Sequence, residues 1–328
     1  MKDNIKNVCE RFIANRDVLR KTFSLESGYI YPVAACTLTS AGAEAQAEKL
    51  KECKKILKKN VSGLSYLRGT VDLPIIVRMY LSDDPQGFLE KTMVCYDVLK
   101  KELGRNTYTA LLALMTAEQA DEGSAEKIAL KGKEIKELLK KEHPILTGAE
   151  DNVMAGFMAM TEREPADICN EAEKCFEILK KTFSDKQAVQ TCSHILSMAE
   201  GTPEEKAERV VRLYKLLEES GKKFGKHHEL AGLAALSLYE TDDKSLADAV
   251  CEIDDFLADQ KGYGSLGFGK KERLMHAAML TAVLFKPEDD LTGAAAAVST
   301  IAMIAAQEAA MCAIIACTAA SSAAAAAN

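Results

Sequence analysis

Residues 167–182 read DICNEAEKCFEILKKT, and the ending of that stretch decides the fold. The apolar pair Ile178-Leu179 is followed by Lys180-Lys181, and Cys175 lies one helical turn before Leu179 on the same face. The same ending occurs as Val18-Leu19-Arg20-Lys21, Ile56-Leu57-Lys58-Lys59, Val98-Leu99-Lys100-Lys101 and Leu138-Leu139-Lys140-Lys141. With an acidic finish it returns as Leu216-Leu217-Glu218-Glu219 and Phe256-Leu257-Ala258-Asp259. The second apolar residue advances by 38, 42, 40, 40, 38 and 40 positions. A period this regular is the signature of a repeat architecture.

The repeating segments predict amphipathic B helices over 3–22, 45–59, 86–102, 125–142, 167–182, 204–220 and 244–260. Between them, more apolar stretches predict A helices over 31–41, 73–82, 108–118, 151–161, 186–199, 228–240 and 271–285. Thr202, Pro203 and Glu205 form a capping-box sequence, Thr147/Glu150 and Ser184/Gln187 are two further boxes, and Asp84-Pro85 is another helix start. No window sustains period-two alternation, so no strand is expected. Such pairs cannot bury their apolar faces alone and must stack. The expected fold is all-α: an α-solenoid of about seven antiparallel helix pairs, nearer in repeat length to the HEAT type than to tetratricopeptide repeats. A two-domain helical bundle is the alternative. Residues 1–290 form the repeat domain and 291–328 an Ala-rich C-terminal helix expected to cap the last repeat.

Composition fits this class. The chain has 328 residues, 48% of them hydrophobic and 28% charged, which excludes wholesale disorder. Only 7 prolines and 19 glycines are present, too few for a turn-rich β fold. Aromatics are 6% with no Trp, and the net charge is −7, which disfavours base stacking and general DNA coating. Ten cysteines could suggest a disulfide framework, but Cys53, Cys95 and Cys175 fall on apolar helix faces, and the first 22 residues lack a secretory pattern. Reduced thiols and a cytoplasmic location are expected.

The stretch Cys192-Ser193-His194-Ile195-Leu196-Ser197-Met198 and the Ala-rich, Met-containing tail from Gly293 resemble a bacterial family catalogued as domain-of-unknown-function family 4003. The resemblance covers the whole chain and implies an all-helical protein of similar length. It carries no activity and no catalytic residue.

In a stacked array the B-helix ends align. Lys58, Lys59, Lys100, Lys101, Lys140, Lys141, Lys180 and Lys181, preceded by Arg20 and Lys21, would form a basic ladder whose sign reverses at Glu218, Glu219 and Asp259. The opposite edge is acidic, including Asp83, Asp84, Glu118, Asp121, Glu122, Glu204, Glu205, Asp242 and Asp243. Helix-dipole complementation explains both edges at about 0.3–1 kcal/mol per charge. Binding of nucleic acid or another polyanion is the sharper reading of the ladder, because the dipole alone would favour Lys at the last rungs too.

No constellation reads as catalytic, and neither a cofactor nor a metal is implied. Residues 262–269 contain G-x-G-x-x-G, but helices on both sides contradict a nucleotide fingerprint, which needs a strand. A glycine-rich B-to-A connection explains it. In His227-His228-Glu229 the side chains diverge by about 100° per residue and cannot chelate together. Cys192 and His194, two apart on a helix, do not face each other. In the tail, the run from Ala309 to Ala327 has nearly the length of a membrane span, but alanine supplies little insertion energy. Insertion is not expected, and self-association through the tail is the alternative to capping. The expected function is a non-catalytic protein-interaction scaffold. The alternatives are polyanion binding through the ladder, and an enzyme with a pocket on a concave face using acids with His194 or His276.

Overall fold

A computed structural model describes residues 2–119, 123–264 and 267–286. Among them are fourteen helices, numbered in chain order. The odd-numbered ones are the B helices: α1 (Asp3–Thr22), α3 (Ala47–Asn60), α5 (Pro85–Leu103), α7 (Ala125–Glu142), α9 (Pro165–Leu179), α11 (Pro203–Glu219) and α13 (Asp243–Ala258). The even-numbered A helices are α2 (Ile30–Ser40), α4 (Asp72–Leu81), α6 (Thr107–Gln119), α8 (Asp151–Met160), α10 (Lys186–Ser197), α12 (Leu230–Leu236) and α14 (Lys270–Leu284). No strand occurs among the described residues; a lone bridge joins Tyr263 and Phe268. The predicted capping tail lies outside the described residues.

The two helix types differ in how they are buried. The B helices bury one face: Leu50, Cys53 and Leu57 in α3, and Ile168, Cys169, Ala172, Cys175, Phe176 and Leu179 in α9. These are the three-and-four spacings of an amphipathic helix. The A helices are buried almost all round, as in α4 from Asp72 to Met79 and in α8 from Asp151 to Ala159.

Helix starts follow local chemistry. Thr202 and Glu205 satisfy each other's backbone N–H groups as the predicted capping box, with Pro203 opening α11. Thr202→Ala is expected to remove about 1 kcal/mol of stability, a loss readable as a lower thermal midpoint. Asp84 caps α5 by accepting the Gly87 N–H at 2.9 Å. Two expectations need correction. Asp185, not Ser184, caps α10, accepting from the N–H groups of Gln187 and Ala188; its carboxylate is the stronger acceptor. At α8 the helix begins at Asp151, which leaves Glu150 outside it.

The chain divides into two compact units. One comprises Ala14–Glu137 and Thr147–Met160. In it α2 packs on α4, α3 on α4 and α5, α5 on α6, and α6 on α8. Gly156 lets α8 approach α6: a Cβ there would meet Leu112 at 2.2 Å. Buried Asn152 crosses one repeat, donating to the Leu103 carbonyl at 2.9 Å and to Thr109 Oγ1 at 3.0 Å.

The other unit comprises the described parts of Met1–Ile13, Leu138–Leu146 and Thr161–Ala310. Here α9, α11 and α13 pack in succession, as do α10, α12 and α14. Cations on one repeat tie down the turn of the next. Arg209 donates to the Tyr239 carbonyl and to Asp243, both at 2.7 Å, and Arg163 donates to the Ser197 carbonyl at 2.5 Å. One contact departs from sequential stacking. The Lys2 N–H donates to Glu252 Oε1 at 3.0 Å, so the start of α1 lies on α13 across 250 positions.

Candidate functional site

The ladder lysines sit at B-helix ends as the repeat predicts, but their charges are not equally available. Lys58, Lys59, Lys101, Lys140, Lys141, Lys180 and Lys181 are exposed, whereas Lys100 is half-buried. Lys100 and Lys180 are each paired with an acid three residues earlier, Asp97 and Glu177, and lie over the rings of Tyr96 and Phe176. The acidic edge is largely committed to structure. Asp84 and Asp242 cap helices, Glu118 pairs with Arg78 at 3.0 Å, and Asp243 holds Arg209 and Arg212. Asp121 and Glu122 lie outside the described residues.

In the unit containing Ala14–Glu137, the ladder runs beside a feature that sequence patterning missed. The connections after α1 and α3 carry Leu25 and Leu64, each 97% exposed, with Tyr29 and Tyr66 also exposed. Both connections are pinned. Tyr31 donates its hydroxyl to the Phe23 carbonyl at 2.6 Å, and Lys54 pairs with Glu26 at 3.5 Å while lying over Phe23. Arg68 donates to the Val61 carbonyl at 3.1 Å and pairs with Asp72 at 3.0 Å. The Glu26 carboxyl is raised first by its burial and also by Asp72 at the start of α4, and is lowered by Lys54 and Lys58 of α3. Exposed apolar tips held by this many bonds are a surface feature rather than loose ends.

In the other unit a cavity of about 290 Å³ opens between the end of α7 and α9 and is floored by α10. His143 and Glu173 stand on its wall, with Nε2 and Oε2 2.7 Å apart, and the His143 ring packs 4.4 Å from that of Phe176. Gln190, Ser193 and His194 form a buried floor. Burial, helped by the nearby charge of His143, pushes His194 down to about 3, so it is neutral at ordinary pH. The chemistry available is that of a mostly apolar pocket with hydrogen-bonding groups at its base.

Other residues singled out by sequence fall elsewhere. Burial pushes the Cys192 thiol above its ordinary value, with Asp185 adding to the effect. His276 is buried against Tyr263, whose hydroxyl lies 3.0 Å from Nδ1, and against Phe268. The glycine stretch is the connection between α13 and α14: Gly262 and Gly264 take φ of 96° and 112°, and the Phe268 N–H donates to the Gly262 carbonyl at 2.9 Å. His227 Nδ1 lies 2.5 Å from Asp185 Oδ2, and no group of three or more His, Cys, Asp or Glu able to hold a metal ion occurs among the described residues. The eight described cysteines form no disulfide among themselves. No described helix is long and apolar enough to cross a membrane.

Fourteen helices, with no strand among the described residues, define an all-helical protein. The chain belongs to the family described as Protein of unknown function (DUF4003), whose model matches residues 15–309. No curated protein and no solved structure matches the chain.

Proposed function

We propose that the protein is a non-catalytic, cytoplasmic bacterial scaffold whose helix pairs act as repeats of the α-solenoid type, and that it docks a protein partner on its B-to-A connections. The observation that carries this reading is the pairing of Leu25 and Leu64, each 97% exposed, on connections pinned by their own hydrogen bonds. Exposed Arg20, Lys21, Lys55, Lys58 and Lys59 lie on the same helix ends. Apolar anchors framed by cations fit a partner with an apolar patch rimmed by acidic residues. The repeat reading is supported within each unit by like helices packing on like: α2 on α4 and α3 on α5, then α9, α11 and α13. The contact of α1 with α13 adds to that order. Buried thiols support the reducing compartment.

The test is affinity purification from a native-type bacterial lysate with the wild-type chain, a Leu25→Glu/Leu64→Glu variant and a Lys58→Glu/Lys59→Glu variant. The expected result is a near-stoichiometric protein that survives high salt on the wild type. It is lost with the double leucine variant and weakened with the lysine variant. Equal retention on all three, or no enriched protein, removes the proposal. Nucleic acid released by salt, and lost on reversing Lys100, Lys101, Lys140 and Lys141 to Glu, would instead select polyanion binding through the ladder.

A further inference from the structure

We infer that the cavity floored by α10 is a binding site for a small molecule carrying a primary amino group, an amine or an amino acid. The site is separate from the docking connections and does not depend on that reading. Size and shape come first. About 290 Å³ suits a small metabolite and lies at the lower end of ligand pockets. Its walls mix apolar surface from Leu138, Leu139 and Ala172 with polar groups from α7, α9 and α10.

Charge then selects the ligand class. The lining carries two carboxylates, Glu142 and Glu173, against one lysine, Lys141, and the imidazole of His143, which is bonded to Glu173 Oε2 at 2.7 Å. The deep imidazole of His194 adds no positive charge at neutral pH. An anion entering the cavity would face both carboxylates, and the Nε2 of the one imidazole on its wall is already given to Glu173. An ammonium group finds in Glu173 a charge-assisted acceptor already oriented by His143 at 2.7 Å. The buried floor supplies the rest of the recognition. Ser193, whose hydroxyl donates to the Gln190 carbonyl at 2.8 Å, retains its oxygen lone pairs as acceptors, and the Gln190 amide stands beside it. Lys141 meets the carboxylate of a ligand that has one.

The experiment uses the purified full chain and follows binding by calorimetry. The probes are the protein amino acids and short-chain primary amines, compared with carboxylic acids and phosphate esters of the same carbon skeletons. At least one amine or amino acid is expected to bind, with the deaminated counterpart at least tenfold weaker. Glu173→Gln, which removes the charge but keeps a hydrogen-bonding group, is expected to weaken the bound amine at least tenfold. Ala166→Trp fills the cavity from the exposed side of α9 and is expected to abolish binding while leaving the helical circular-dichroism spectrum unchanged. Absence of binding by every amine, tighter binding of the acids, or unchanged affinity in both variants overturns the assignment.

Discussion

Replacing Asp254 by Ala is expected to cost about 3–5 kcal/mol of stability. Its side chain is 1% exposed and lies on α13, where it accepts from Arg273 of α14 at 2.6 and 3.2 Å and from Lys222, in the turn after α11, at 2.8 Å. One carboxylate therefore joins two helices and a connection. Burial alone would push Lys222 below the ordinary lysine value, but its hydrogen bonds to Asp254 and Asp255 hold it above. The hydrogen bond to Asp254 likewise raises Arg273. Removing the carboxylate leaves two partly buried cations facing each other, which costs more than the pair contributes when intact. Thermal denaturation should show a fall of roughly 10 °C in the transition of this unit, at a few degrees per kcal/mol. The triple variant Asp254→Leu/Lys222→Met/Arg273→Met, which replaces the whole cluster with apolar side chains, should recover most of the loss. A wild-type midpoint in the single variant would show that the cluster is not a tie.

The second large effect is on the pH dependence of stability, where two buried groups act in opposite directions. Burial raises Asp151 to about 7, with Glu150 adding to it and the Gly148 N–H opposing. Its folded value lies above the unfolded one, so its contribution is fully present below about pH 4 and is lost as pH rises through 7. His194 is depressed to about 3. Its contribution is present above its unfolded value near 6.5 and is lost as pH falls from there toward 3. Between pH 4 and 6.5 the two slopes partly cancel. Asp151→Asn should raise stability at pH 8 by on the order of 3 kcal/mol and make the acid loss steeper. His194→Gln should flatten that acid loss. Urea denaturation from pH 4.5 to 8 reads both. Parallel curves for wild type and the two variants would mean that neither group titrates differently on folding.

The helices were legible because the repeat is written twice, in period and in chemistry. Every B ending in the sequence is the end of an observed B helix or within a few residues of one. The poorest boundary was at α12, expected over 228–240 and observed as Leu230–Leu236: Glu229 turns back to accept the His227 N–H at 3.0 Å at its start, and past its end Leu238 and Tyr239 donate three residues back, to Ala235 and Leu236. Pairing within the ladder was missed although its signal is present: Asp97 before Lys100 and Glu177 before Lys180 are spaced to meet on a helix. The ties between repeats leave a weaker trace, an arginine about one period before an acid, as in Arg78 and Glu118. The cavity left none. His143 and Glu173 are 30 positions apart and the floor residues belong to a third helix. Only packing brings the three together, and no spacing rule links them. The exposed Leu25 and Leu64 were equally hidden, since apolar residues in a connection read as buried until the bonds that hold the loop open are known.

The contact between Lys2 and Glu252 also sets an order of events during synthesis. Lys2 leaves the ribosome while Glu252 and the rest of α13 are still untranslated. At about 5–20 residues per second, the intervening 250 residues take roughly 12–50 s to emerge. For that interval the Lys2 N–H lacks the acceptor it has in the finished fold. Contacts of such long range are also the slowest to form, because the chain entropy must be lost before they reward it. The join between the start of α1 and α13 therefore closes only after α13 has been made, well behind the contacts between neighbouring helices.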